Sequence, residues 1–210
     1  MKGHHCLCIS TLFINYVVYQ WIRHWVPGGV PDRKPVPNHK YINIVKYSTL
    51  VSADLLLDYN DTIFMGIRTN QPAQGYWFNP GARLYKGETP KRGIVRILQT
   101  ELGLTHRIHE LFRNTFFQYK GCYEHAYNTN FKNIRGISTH YFTHAFHVVL
   151  SRNQYEGITR EFVKDRQHTE TAWIPKMDIY HGTYHGRLIH PFVQQFFWNT
   201  QNRIESFQGI

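Results

Sequence analysis

Two stretches of this chain place reactive side-chain types at telling spacings. Residues 68–104 carry Arg68, Arg83, Glu88, Arg96 and Glu101, and residues 167–168 are a glutamine followed by a histidine. Arginine is permanently charged and presents a planar fork of N–H donors, so this set suits phosphate oxygens. A single glutamate on a helix can give one hard oxygen ligand to Mg²⁺, whose open positions a substrate diphosphate helps to fill. An unperturbed imidazole titrates near pH 6.5, so His168 can take a proton from water at neutral pH. His140, His144 and His147 invite a zinc reading, because i, i+4, i+7 spacing would align them on a helix. The run HYFTHAFHVVL is β-prone, however, and in a strand His147 points away from the face that carries His140 and His144.

These residues need a scaffold. The chain has 210 residues, 24 Lys+Arg against 14 Asp+Glu and 42% apolar residues, which suits one folded domain plus a tail and excludes a wholly disordered chain. The formal charge of +10 favours anionic partners in general, nucleotides, nucleic acids and acidic membranes alike. Cys6, Cys8 and Cys122 show neither a disulfide framework nor paired zinc spacing, so a reducing, cytoplasmic setting is expected. Residues 6–22 are apolar but interrupted by Ser10, Thr11, Asn15 and Gln20, marginal against the ~20 apolar residues that a spanning helix needs. A membrane contact of this segment is the minor expectation. The Pro- and Gly-rich run 26–40 reads as a linker, so residues 1–40 are expected to be an extension and 41–210 the domain.

Within 41–68, INIVKYSTLVSADLLL and TIFMGIR read as strands joined at DYND, a hairpin. Residues 69–90 are too rich in Gly, Pro and Asn for a regular element and form a long loop, the kind of segment that carries function. Lys91–Leu104 reads as a helix capped by Thr89, opened by Pro90 and ended by Gly103. Further β-like runs fall at Leu111–Tyr119, Thr139–Leu150 and Thr171–Ile174, with an aromatic helix near Leu188–Trp198. Strands around internal helices indicate an α+β domain.

Residues 82–104 resemble the Nudix box, G-x5-E-x7-R-E-U-x-E-E-x-G-U with U aliphatic: Glu88, Arg96, Leu98, Glu101, Gly103 and Leu104 are in register. Ala82, Ile97 and Thr100 depart from it, and the last two remove carboxylates that ordinary members use to attack phosphorus. The run RTNQPAQGYWFNPGARLYKGET, with STLVSAD, YEHAYNTNF, THY at 139–141 and QH at 167–168, resembles the GDP-mannose mannosyl hydrolases, an atypical Nudix branch that cleaves at sugar carbon. The likeness covers about residues 48–180.

The resemblance implies a Nudix fold, an α/β/α sandwich with a mixed sheet between helices. It implies one Mg²⁺, with Mn²⁺ as a substitute, on Gly81, Glu101 and Gln167. His168 matches the general base, while Arg83 and Arg96 match groups that neutralise departing GDP. Arg68, Asp54, His125 and Tyr141 match substrate contacts or leaving-group stabilisers. Tyr76 and Trp77 in the loop are candidates to stack on the base or line the sugar pocket. The implied reaction is inverting hydrolysis of GDP-mannose or a related GDP-hexose to GDP and free sugar, by a homodimer and without nucleic acid. Two alternatives stand beside it: a nucleoside-diphosphate-sugar pyrophosphohydrolase, and an inactive nucleotide- or RNA-binding module. Were position 82 to require φ > 0, Ala82 would strain the loop by ~1 kcal/mol or more.

Overall fold

The longest buried run among the described residues, Ser52 to Asp58, is the middle of a mixed sheet, where both faces must be covered. In the computed structural model, which describes residues 36–104, 108–161 and 168–198, that run lies in strand β1, Leu50–Tyr59. A two-residue turn leads to β2, Thr62–Arg68, with Tyr59 opposite Thr62. Asn60 and Asp61 hold φ of 46° and 63°, the left-handed pair that matches strand twist in such hairpins. Short strands β3, Trp77–Phe78, and β4, Gly81–Arg83, follow; β3 pairs with β2 and β4 with the first half of β1. Strands β5, Gln118–Tyr127, and β6, Thr139–Val149, are antiparallel to each other, and β6 runs parallel to β1. Strand β7, His168–Pro175, closes the other side against β2.

Alternation along β1 assigns the two layers. Ala53, Leu55 and Leu57 pack with Ile94, Ile97 and Leu98 of a helix at Pro90–Thr100. With them are Ile108 and Phe112 of Ile108–Phe112 and Ile158 of Arg152–Glu161. Leu56, on the opposite face, packs with Tyr123, Ala145 and Phe196. Beside it Ile63, Met65 and Ile174 meet Ile179 of a helix at Lys176–His181 and Val193 of one at Pro191–Gln194. The fold is the expected α+β sandwich with a mixed sheet between helices. In chain order the helices are α1 at Asn38–Tyr47, α2 at Pro90–Thr100, α3 at Ile108–Phe112, α4 at Arg152–Glu161, α5 at Lys176–His181 and α6 at Pro191–Gln194.

Three expectations are corrected, and one helix is added to them. Residues 38–47 are helix α1, not linker end and strand start: Tyr41 and Val45 are four apart, and both bury against Leu50. The β-like run Leu111–Tyr119 is α3 up to Phe112 and strand only from Gln118, because Ile108 and Phe112 again dock at helical spacing. The aromatic C-terminal helix is short, since Pro191 can only open it and His190 caps it through the Phe192 N–H. Helix α4 went unread although its start signal is present: Ser151 and Gln154 form a reciprocal capping box at 2.7 and 3.4 Å.

Among the described residues no helix is long and apolar enough to cross a membrane, and the apolar run 6–22 lies outside them. Ile97 is fully buried between α2 and β1, at a position where the Nudix box that the sequence resembles has an acid. Ile97→Ala should therefore lower stability by about 2–5 kcal/mol. A urea midpoint that does not move would show that α2 is not held by this core.

Candidate active site

Helix α2 and the loop before it are tied by two carboxylates. The Thr89 hydroxyl accepts the Arg92 N–H, Pro90 fills the first turn, and Arg96 then falls beside the incoming loop. Arg96 Nε–H donates to Glu88 Oε1 at 2.9 Å, while Nη2 donates to Glu88 Oε2 at 2.7 Å and to the Arg83 carbonyl at 2.8 Å. Glu88 also accepts the Tyr85 N–H. Burial pushes the Glu88 carboxyl up, but the hydrogen bonds from Arg96 and Tyr85 and the charges of Arg96 and Arg83 outweigh it and hold it below the usual range. Arg96, expected to neutralise a leaving group, is thus chiefly a strut of the loop, with three of its N–H bonds spent on it.

At the other end of α2, Glu101 is 4% exposed and its Oε2 accepts the Gly81 N–H at 3.0 Å. Gly103 follows with φ 70°, which turns the chain out of the helix. Gly81 lies opposite Asp54 in the β1/β4 pairing, and a Cβ there would come within 2.3 Å of Asp54 Oδ1, so only glycine fits. Ala82 pairs with Ala53 as an ordinary strand residue and is not among the positive-φ positions, so the strain considered for it does not arise.

A cavity of about 370 Å³ opens on the face of β1 that bears Ser52 and Asp54. It gathers Asp54, Arg68, Gly81, Arg83, Arg96, Glu101, His125 and Tyr141 from positions far apart in sequence. Arg83 makes no side-chain hydrogen bond among the described residues; its guanidinium lies 4.1 Å from the Tyr41 ring centroid and 4.9 Å from that of Tyr85. It is a cation held ready for an anion. Arg68 donates to the Pro72 carbonyl and lies over Phe78.

The acids and bases here are strongly shifted. Burial raises Asp54 to about 7 against the opposing pull of an Asn79 hydrogen bond and the Arg68 charge, and its Oδ2 has no partner among the described residues. Burial and His190 push His125 down to about 3, and burial holds Tyr141 well above its ordinary value, with Tyr41 reinforcing it. His125 and Tyr141 are therefore neutral across the working pH range.

Trp77, expected as a stacking residue, is fully buried in the β2 core and donates its indole N–H to the Tyr184 carbonyl, so it lines no cavity wall. Tyr76 packs edge-on against His190, away from the cavity lining. His168 begins β7 opposite Arg68, so its backbone adjoins a cavity residue, while its side chain and Gln167 lie outside the described residues. The zinc trio is dispersed as strand alternation requires: His140 pairs with Glu124, His144 with Tyr119 and His147 with Asp58. Sequence reasoning missed Tyr41, Ser52, Tyr85 and Thr143 in the lining. Ser52 and Thr143 carried a signal, since period 2 puts them on the faces of Asp54 and Tyr141.

A family model described as NUDIX domain matches residues 49–195. The chain is 30% identical over 162 residues, 77% of its length and 88% of the relative's, to the low-salt glycan biosynthesis protein Agl8 of Haloferax volcanii. Among solved structures it resembles the MutT protein from Methanosarcina mazei Go1, with a TM-score of 0.51, 14% identity and coverage of 72% of this chain and 91% of that one. At that identity the likeness speaks for the fold.

Because the Glu88 carboxyl is held low, the ion pair stabilises the fold above the unfolded-state value of the carboxyl, and the contribution is lost as pH falls through the folded-state value. Glu88→Gln should cost about 2–3 kcal/mol at neutral pH by breaking charged hydrogen bonds to a half-buried Arg96. The difference from wild type should shrink below about pH 4.5 in urea titrations. A gap that stays constant with pH would remove the carboxylate's charge as its cause.

Proposed function

Because the chain belongs to the NUDIX domain family, we propose that it hydrolyses GDP-mannose or a related GDP-hexose to GDP and free sugar by attack of water at sugar C1. The observation that carries this reading is the spent acid inventory of α2. Ile97 is core, Thr100 is uncharged, and Glu88 is committed to Arg96, which leaves Glu101 as the helix carboxylate facing the cavity. Attack on phosphorus by a crowded carboxylate site lacks its ligands here. Departure of a diphosphate from carbon needs charge neutralisation more than ligands, and the arginines supply it.

The residues present fit one hard divalent cation: the Glu101 carboxylate beside Gly81, a backbone approach that a Cβ would close, and the unpartnered Asp54 Oδ2 nearby. The Gly81 carbonyl and Glu101, with Gln167 from the resemblance, would hold it, and it would draw negative charge from the diphosphate oxygens as the C1–O bond breaks. Arg83, which lies over the Tyr41 and Tyr85 rings and makes no side-chain hydrogen bond among the described residues, binds the diphosphate; Arg68 adds positive charge across the cavity. His168 accepts the proton of the attacking water, on the face of the sugar opposite GDP, which inverts the anomeric centre. No acid is required on the leaving group, because GDP leaves as an anion.

Incubation with Mg²⁺ and GDP-mannose, followed by phosphorus and sugar NMR, should show GDP and β-mannose as first products. Glu101→Gln should abolish turnover, and His168→Gln should lower kcat by about 10²–10⁴ while Mg²⁺–GDP still binds, the range for loss of a positioned base. GMP and mannose 1-phosphate as products would move the attack to phosphorus and overturn this reading.

A further inference from the structure

On the cavity face of the sheet a line of hydrogen bonds runs from outside the cavity to its wall. Gln195, buried in the turn after α6, sets its amide nitrogen Nε2 on His125 Nε2. His125 Nδ1 meets Thr143 Oγ1 at 3.2 Å, and Thr143 Oγ1 meets Ser52 Oγ at 2.8 Å. All four side chains are buried; His125, Thr143 and Ser52 line the cavity, whereas Gln195 lies behind it. The imidazole is pinned flat on the Phe192 ring, with centroids 4.3 Å apart and planes 7° from parallel.

The direction of this line follows from the chemistry of its ends. A carboxamide nitrogen carries N–H donors and cannot accept, so His125 Nε2 must be the acceptor and the ring proton sits on Nδ1. His125 then donates to Thr143, whose O–H is free to turn to Ser52 at 2.8 Å, and in that arrangement the Ser52 proton is left over at the cavity wall. Burial keeps the ring neutral, so it has one proton to place and the choice is binary.

We propose that Gln195 is a positioning residue that fixes the direction of the His125–Thr143–Ser52 chain, so that Ser52 presents an O–H donor to an uncharged oxygen of the bound nucleotide sugar. The ligand part of this inference rests on the function proposed above; the direction of the chain does not. Gln195 comes from the C-terminal segment, which thereby becomes part of the binding site without touching the ligand.

Nitrogen-15 NMR of histidine-labelled protein tests the direction without any substrate. The expected spectrum has a protonated Nδ1 and a bare Nε2 on His125, and Gln195→Glu, whose carboxylate can only accept, should move the proton to Nε2. A bare Nδ1 in wild type, or a tautomer unchanged in Gln195→Glu, would overturn the proposal whether or not the protein turns over GDP-mannose. Ser52→Ala, a nearly isosteric change, should raise KM for GDP-mannose about three- to tenfold, the size of one neutral hydrogen bond, with little change in kcat. An unchanged KM in an active enzyme would show that Ser52 gives nothing to the ligand.

Discussion

Arg96 holds two segments of the loop to α2 at once, through the Glu88 carboxylate and the Arg83 carbonyl, and the site depends on that double grip. A loop with the composition of residues 69–90 has no core of its own, and ordering each residue costs about 1–2 kcal/mol of backbone entropy. The guanidinium fork and the Glu101 contact to the Gly81 N–H provide fixed points at both ends of the helix. Between them Gly81, Ala82 and Arg83 pair with β1, and Arg83 makes no side-chain hydrogen bond among the described residues. The pairing of Glu88 with Arg96 thus does structural work so that Arg83 and Glu101 can face a ligand.

Charge is distributed unevenly in the resulting cavity. Cations sit where a diphosphate would lie, and the β5 and β6 walls contribute neutral groups, because burial keeps His125 and Tyr141 uncharged. Asp54, raised to about 7, is poised between forms rather than fixed as an anion. A site with this balance suits a departing anion better than a cluster of metal ions, and the proposed attack at carbon rests on that balance.

Much of this was legible in the chain. Helical period and the Thr89–Pro90 start located α2 and its cap, because these are local signals, while the resemblance brought Gly81 together with Glu101. Strand alternation dispersed the histidines of β6 correctly. Helix α1 was misread because YINIV is β-branched and short, and only the docking of Tyr41 and Val45 decides its period. The strut role of Arg96 was invisible for another reason: Glu88 lies eight positions before it, beyond any helical pairing rule, and loop and helix must fold before the two meet. Trp77 looked like a ligand residue because it sits in a functional loop, but a two-residue strand turns it into the core.

Whether the proposed attack falls on carbon is recorded in the fate of the water oxygen. Hydrolysis of GDP-mannose in ¹⁸O-labelled water, quenched early and read by mass spectrometry, tests it most directly. Attack at carbon puts the label in the anomeric hydroxyl of the sugar and leaves GDP unlabelled. Label in the β-phosphate of GDP would contradict it, even with the same two products.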